Sequence, residues 1–369
     1  MPHTTDALER ADLLAGLDPL PLPHVLLDVL RAGLGSDPDR PDARLRRVPS
    51  AGALHPVQVY LDQHRDGRAE TVRWYPHGGL VPLSTRQATP PERVDIVLVA
   101  APARTIAKYG DRALTPVVLD TGYAFSALLH AAAAHGLGLA PAPGFQPPDG
   151  DGAALAALRV GAPAHRPLPS GRPEPAGARP GGLVEAALHE LARHPITSPL
   201  PTSEVSREAI ATRRSAPLEE LASGFDLDNT LSFFRDGLPR QFHSGVTAHV
   251  ATAKGVFTWC EGHWKRVSHR DERPGLAARA AHQRQLVDVA ALVLFTAPPA
   301  AGLGGANYLA SRFAIAHAGY SLCVRAAGWG LGARPIGGWS GPPAPGTWDG
   351  GEAIVHAVAL GETGTEPAR

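Results

Sequence analysis

The chain repeats itself once, over a long span. "GLGLAPAPGF" (136–145) and "GLGARPIGGW" (330–339) share the pattern Gly-Leu-Gly-x-x-Pro-x-x-Gly-aromatic at an offset of 194. An alanine-rich helical run precedes each copy: "TPVVLDTGYAFSALLHAAAAH" and "NYLASRFAIAHAGYSLCVRAAGW". Before each helix lies an apolar strand, "VDIVLVAAP" or "DVAALVLFTAP". After each motif comes a second strand, in "GDGAALAALRVG" (150–161) and "GGEAIVHAVALG" (350–361), offset by 200. Four matched elements in one order indicate duplication of a whole domain, not a short-period solenoid. "GAPAHRPLPSGRPEPAGARPGG" (161–182) is rich in Pro and Gly and reads as a linker. The predicted division is 1–165, a linker over 166–182, and 183–369, whose "GLVEAALHELARH" opens as a helix.

Each half reads as helices, strands, a long apolar helix and a final strand. The long helix is apolar on most faces, so it is expected between layers. The fold class is α+β, an antiparallel-rich sheet packed on helices, present twice. Two such domains in one chain are expected to pack about a pseudo-twofold axis, as an intramolecular pseudo-dimer.

The chain has 369 residues and 44% hydrophobic residues, enough to bury two cores. Its formal net charge is zero, which gives no footprint for nucleic acid or a membrane surface. The N-terminus lacks a basic flank followed by an apolar run, so no signal peptide is read and a cytoplasmic location is expected. Cys260 and Cys323 lie too far apart in sequence for a thiolate metal motif. Seventeen histidines show neither His-Glu-x-x-His nor a close His/Cys cluster, so no metal is expected.

"RRVPSAGALHP" (46–56) occurs in the first half only. Its tiny residues Ala51, Gly52 and Ala53 let something approach the backbone closely. With "KYGDRA", "DTGYAFSALLHAAAAHGLGLAP" and "TRRS", it resembles the nitroreductase superfamily, and more narrowly its SagB-type branch. That branch comprises FMN-dependent dehydrogenases that oxidise azolines to azoles in ribosomally made peptides. In the superfamily each FMN site is built by two subunits. One supplies an Arg-x-Ser segment and a Pro-x-x-Gly-aromatic loop, the other a Pro-Ser segment. The resemblance implies that Arg213, Ser215, Gly337, Gly338 and Arg369 bind the flavin from the second half. Pro49, Ser50, Ala51 and Ala53 bind it from the first, with His55 on the substrate side. It also makes Lys108 and Tyr109 the catalytic pair.

The two halves lose complementary pieces. At an offset of 194, Ser50 falls on Ser244 and His55 on His249, while Pro49 becomes His243 and Gly52 becomes Val246. No arginine lies between 11 and 30 to match Arg213, and no lysine follows Lys265 to match Lys108. Pro143 stands where Gly337 does, without an N–H. One complete flavin site per chain is expected, using both halves.

The residue types suit the chemistry. Arginine offers a permanently charged fork to a phosphate. If a helix starts at Arg213–Ser215, its free N–H groups add to anion binding. Pro217 replaces a further basic residue that the family often carries. Consecutive glycines allow the main chain to lie against a ring system, whereas Gly138 and Gly332 read as helix caps. A lysine takes up a proton only as the neutral amine, a form that burial against an apolar face favours. Tyr109 either relays the proton or orients Lys108. Azoline oxidation needs a peptide substrate and, as partner, a cyclodehydratase or other peptide-modifying enzyme. Two alternatives stay open: a general NAD(P)H-dependent nitro or quinone reductase, and a degenerate non-catalytic scaffold in a peptide-modifying complex.

Overall fold

The computed structural model describes residues 22–37, 46–77, 79–87, 92–142, 152–161, 182–194, 196, 200, 202, 205–221, 233–234, 238–239, 242, 245–280, 283–298, 304–339 and 352–363. By their contacts they form two compact units, Met1–Pro201 and Thr202–Arg369. Most of the expected linker, 166–181, lies outside the described residues.

The first unit contains α1 (His24–Leu34), β1 (Val57–Arg65), β2 (Arg68–Trp74), β3 (Leu80–Gln87) and β4 (Arg93–Ala100). It continues with α2 (Ala103–Tyr109), α3 (Leu114–Ala134), β5 (Leu139–Pro141), β6 (Ala153–Val160) and α4 (Leu183–Leu191). The second contains α5 (Arg207–Thr212), β7 (Thr247–Thr252), β8 (Gly255–Cys260), β9 (His263–Ser268) and α6 (Arg273–Arg279). It ends with β10 (Ala291–Ala297), α7 (Gly305–Gly328), β11 (Leu331–Ile336) and β12 (Ala353–Glu362).

The sheets are antiparallel and have the same strand order, β3-β2-β1-β4-β6-β5 and β9-β8-β7-β10-β12-β11. Both carry register shifts in matching ladders: β2–β3 and β8–β9, then β4–β6 and β10–β12. An accidental likeness would not reproduce bulges, which are built by particular local residues. Strand β10 is buried throughout and β4 from Asp95 onward, because helices and neighbouring strands cover both. The outer strands β3 and β9 carry Arg86, Lys265 and Arg266, charges that discourage edge pairing.

Helix α3 is buried continuously from Val117 to Ala132, as its all-round apolar sequence demands. The stretch Ala103–Ala134 is long and apolar enough to cross a membrane, and most of it is buried inside the protein. Gly33 lets α1 cross α3 closely: a Cβ there would sit 3.1 Å from the Ala127 carbonyl. Helix caps fall two residues earlier than expected. Gly136 and Gly330, both at φ 71°, end α3 and α7 in the left-handed conformation. Gly332 instead packs in β11, where a Cβ would strike Leu221.

Helix α4, placed by the repeat at the start of the second half, packs on β6 and α3 and counts with the first unit. Val184, Leu188 and Leu191 form its buried stripe.

Candidate functional site

The turn before β1 carries most of the expected first-half residues, and it is strained. Ser50 is extended, and Ala51–Ala53 form one helical turn. Gly52, Ala53 and His55 have φ of 62°, 54° and 46°. For the two that are not glycine, the left-handed conformation costs about 1–2 kcal/mol each.

A small hydrogen-bond cluster offsets that cost. Ser50 Oγ donates to Asp120 Oδ2 of α3 at 2.6 Å, and the Ala51 N–H donates to the same carboxyl at 3.1 Å. Ser50 Oγ in turn accepts the His55 N–H at 2.8 Å. Arg104 reaches the His55 carbonyl at 3.5 Å. Serine suits this position because one hydroxyl both donates and accepts. Burial pushes the Asp120 carboxyl up to about 7, against the hydrogen bonds from Ser50 and Ala51, which pull it down.

Gly52 explains the run of tiny residues. A Cβ at this position would run into Lys108 Nζ and come within 3.0 Å of the Tyr109 hydroxyl. The Lys-Tyr pair at the end of α2 is therefore laid on the Ser50–His55 turn. Lys108 Nζ also lies 5.3 Å from the centre of the Tyr109 ring. Lys108 itself is exposed.

The second unit positions Arg213 differently from expectation. Ser206 caps the start of α5 through the Ala209 N–H (3.0 Å), and Arg213 is the residue that ends the helix. No helix begins at Arg213–Ser215; Ser215 instead bridges to Ala333 beside β11. The Arg213 side chain is 1% exposed, and its Nε and Nη1 meet no partner among the described residues. Its charge reaches Cys323 of α7, a thiol that burial pushes up to about 12 and Arg213 pulls the other way.

Gly337 and Gly338 form an exposed turn after β11, with Gly338 at φ 79°. Trp339 Nε1 donates to the Ile336 carbonyl (3.1 Å) and Gln283 to the Gly337 carbonyl (3.3 Å). Open space surrounds the position a Gly337 Cβ would take. Arg369 and Pro143 lie outside the described residues.

The sheet register corrects the correspondences read at this turn, so the matches of Pro49, Ser50 and Gly52 to His243, Ser244 and Val246 do not hold. Val57 pairs with Ala100, two residues before Pro102, and Thr247 pairs with Thr296, two residues before Pro298. His55 thus matches Gly245, not His249, and both sit at positive φ, 46° and 70°. His249 lies inside β7, where its ring contacts Thr258 and Thr296 at 2.8 and 3.1 Å.

No protein-family model matches the chain, and no curated protein is similar to it in sequence. Among solved structures, it is similar to a protein of Anabaena variabilis classed as a nitroreductase. The two share 18% identity at a TM-score of 0.69, over 95% of this chain and 91% of that one. A Ralstonia eutropha protein of the same class aligns over 46% of this chain and 89% of its own, with 15% identity and a TM-score of 0.36. An Escherichia coli microcin synthetase complex with truncated pro-MccB17 aligns over 40% and 71%, with 17% identity and a TM-score of 0.32. The first likeness gives the fold; the other two add no weight. The chain is α+β, with a nitroreductase fold in tandem duplicate.

Proposed function

We propose that the chain is an FMN-dependent oxidoreductase that converts azoline rings of a ribosomally made peptide to azoles. One flavin is held by residues of both halves. The observation that carries this reading is Lys108 and Tyr109 resting on Gly52 of the Pro-Ser turn. A strained backbone, an amine and a phenol converge there, as at sites where strain is part of the mechanism.

The residues fit the flavin. Two buried donors on Arg213 that meet no partner among the described residues call for an anion, and a phosphate oxygen supplies one. Ser215 and Arg369 are its proposed neighbours. The space beside Gly337 and the turn at Gly338 suit a flat ring. Pro49, Ser50, Ala51 and Ala53 are the flavin contacts proposed for the first half. Bound FMN supplies the acceptor for the hydride from Cβ of the azoline. Lys108, as a neutral amine, takes the proton from Cα, and Tyr109 orients it or relays that proton. His55 lies on the substrate side. A cyclodehydratase is the class of enzyme that makes the azoline.

A non-catalytic scaffold is the second reading. It is favoured by α5 ending at Arg213, so that no helix N-terminus adds its N–H groups there.

The test is turnover of an azoline peptide, read as loss of two hydrogens per ring by mass spectrometry. Lys108→Ala should keep its flavin and lose turnover by about 10²–10⁴. Normal turnover in Lys108→Ala at matched flavin content would overturn the azoline reading and leave a general reductase as the better account. A colourless protein without turnover would favour the scaffold.

A further inference from the structure

A cavity of about 370 Å³ lies beside the strained turn, and its lining comes wholly from the first unit. Leu34, Val48, Trp74 and Ala124 form apolar wall. Arg46 and Arg104 bring two guanidinium groups to the same space. Neither forms an ion pair among the described residues. Arg46 is held in place by its backbone: it bridges to Ser36, just after α1, and the Arg47 N–H bonds to Gly35. Burial and then the like charge of Arg104 bring Arg46 down to about 10.

The cavity's own acid does not neutralise this pair. Asp120 is engaged by Ser50 and Ala51, and burial keeps part of it protonated at neutral pH. A third arginine, Arg73, lies over the rings of Tyr60 and Tyr75, at 5.9 and 5.0 Å from their centres. Two mutually repelling cations facing an apolar hollow are relieved by an anion from outside.

We propose that this cavity binds a small carboxylate on an apolar body, such as an arylalkanoate, with its head between Arg46 and Arg104. Planar guanidinium forks match the two oxygens of a carboxylate. The volume falls within the range of small-molecule sites, roughly 300–1,000 Å³. Trp74 and Leu34 take the apolar body. The cavity is also lined by Pro49, Ser50 and His55, which the flavin reading uses, but the carboxylate head rests on Arg46 and Arg104, which that reading does not use, and the test is read by binding alone.

Calorimetric titration of the full chain at neutral pH tests it. The probes are 3-phenylpropanoate, its neutral amide 3-phenylpropanamide, and inorganic phosphate. The acid should bind, and the amide and phosphate should bind at least about tenfold more weakly. Arg104→Gln and Arg46→Gln should each weaken the acid by about tenfold while the protein stays folded. Equal binding of acid and amide, phosphate binding as tightly as the acid, no heat from the acid up to its solubility limit, or an Arg104→Gln variant that binds the acid as the wild type does would each overturn it.

Discussion

The two sheets share strand order and bulges, yet the turns leading into β1 and β7 have diverged. In the first half, the residue before Pro56 is a histidine forced to φ 46°; its counterpart Gly245 takes φ 70° without a Cβ. Counted back from the cap glycines, Ala314 stands where Asp120 does, so α7 has no acid to pin such a turn. The second half keeps instead a buried arginine, Arg213, whose Nε and Nη1 meet no partner among the described residues. Duplication preserved what packs, and divergence fell on the turns, where a strained or charged residue changes chemistry without undoing the core.

Four experiments set the two halves against each other. The largest effect should come from Asp120. Its carboxyl, ordinarily near 3.8, sits at about 7 in the folded chain because of burial. The folded state therefore holds that proton more tightly than the unfolded one. The resulting stability is complete below about pH 4 and is lost as pH rises through about 7. The loss is on the order of 4 kcal/mol. Asp120→Asn should remove this fall, so melting curves of wild type and variant should diverge between those pH values. Parallel curves would mean that the carboxyl is not buried as described.

Gly52→Ala comes next. The added Cβ must displace Lys108 and Tyr109 and hold an unfavourable φ. Turnover should fall by about a hundredfold, the scale of a misplaced catalytic group, with the flavin retained. An Ala variant of normal activity would separate the Lys-Tyr pair from the turn.

Arg213→Met tests the other half. Losing a charge-assisted phosphate contact costs about 1.5–3 kcal/mol, roughly a tenfold to hundredfold drop in flavin affinity. If the folded variant keeps its flavin at wild-type affinity, Arg213 serves packing alone.

Much of this was legible before the fold was known. Helix α3 and strands β4, β6, β10 and β12 announced themselves because a run that is apolar on all faces has few other places to go. Ser206 followed by "REAIAT" was a readable helix start, so the end of α5 at Arg213 could have been foreseen. Asp120 also left a signal, a lone acid in the apolar run "VVLDTGYAF". A buried acid needs hydrogen-bonding partners, but the sequence does not say that they are Ser50 and Ala51, seventy positions away. The match of His55 to Gly245 was hidden for a different reason. A constant offset cannot track loops whose lengths differ between the halves; only strand pairing sets the register. The arginine cavity was out of reach too, since Arg46 and Arg104 meet only when the sheet brings them together.

On the proposed function, the first half's lack of an Arg213 counterpart and the second half's lack of a Lys108 counterpart leave one flavin site per chain. Flavin released on denaturation, measured against protein concentration, decides the point. A single tight site gives a ratio of about one FMN per chain. A ratio near two would show that the second site survived the losses, and the absence of flavin would show that the chain is a scaffold.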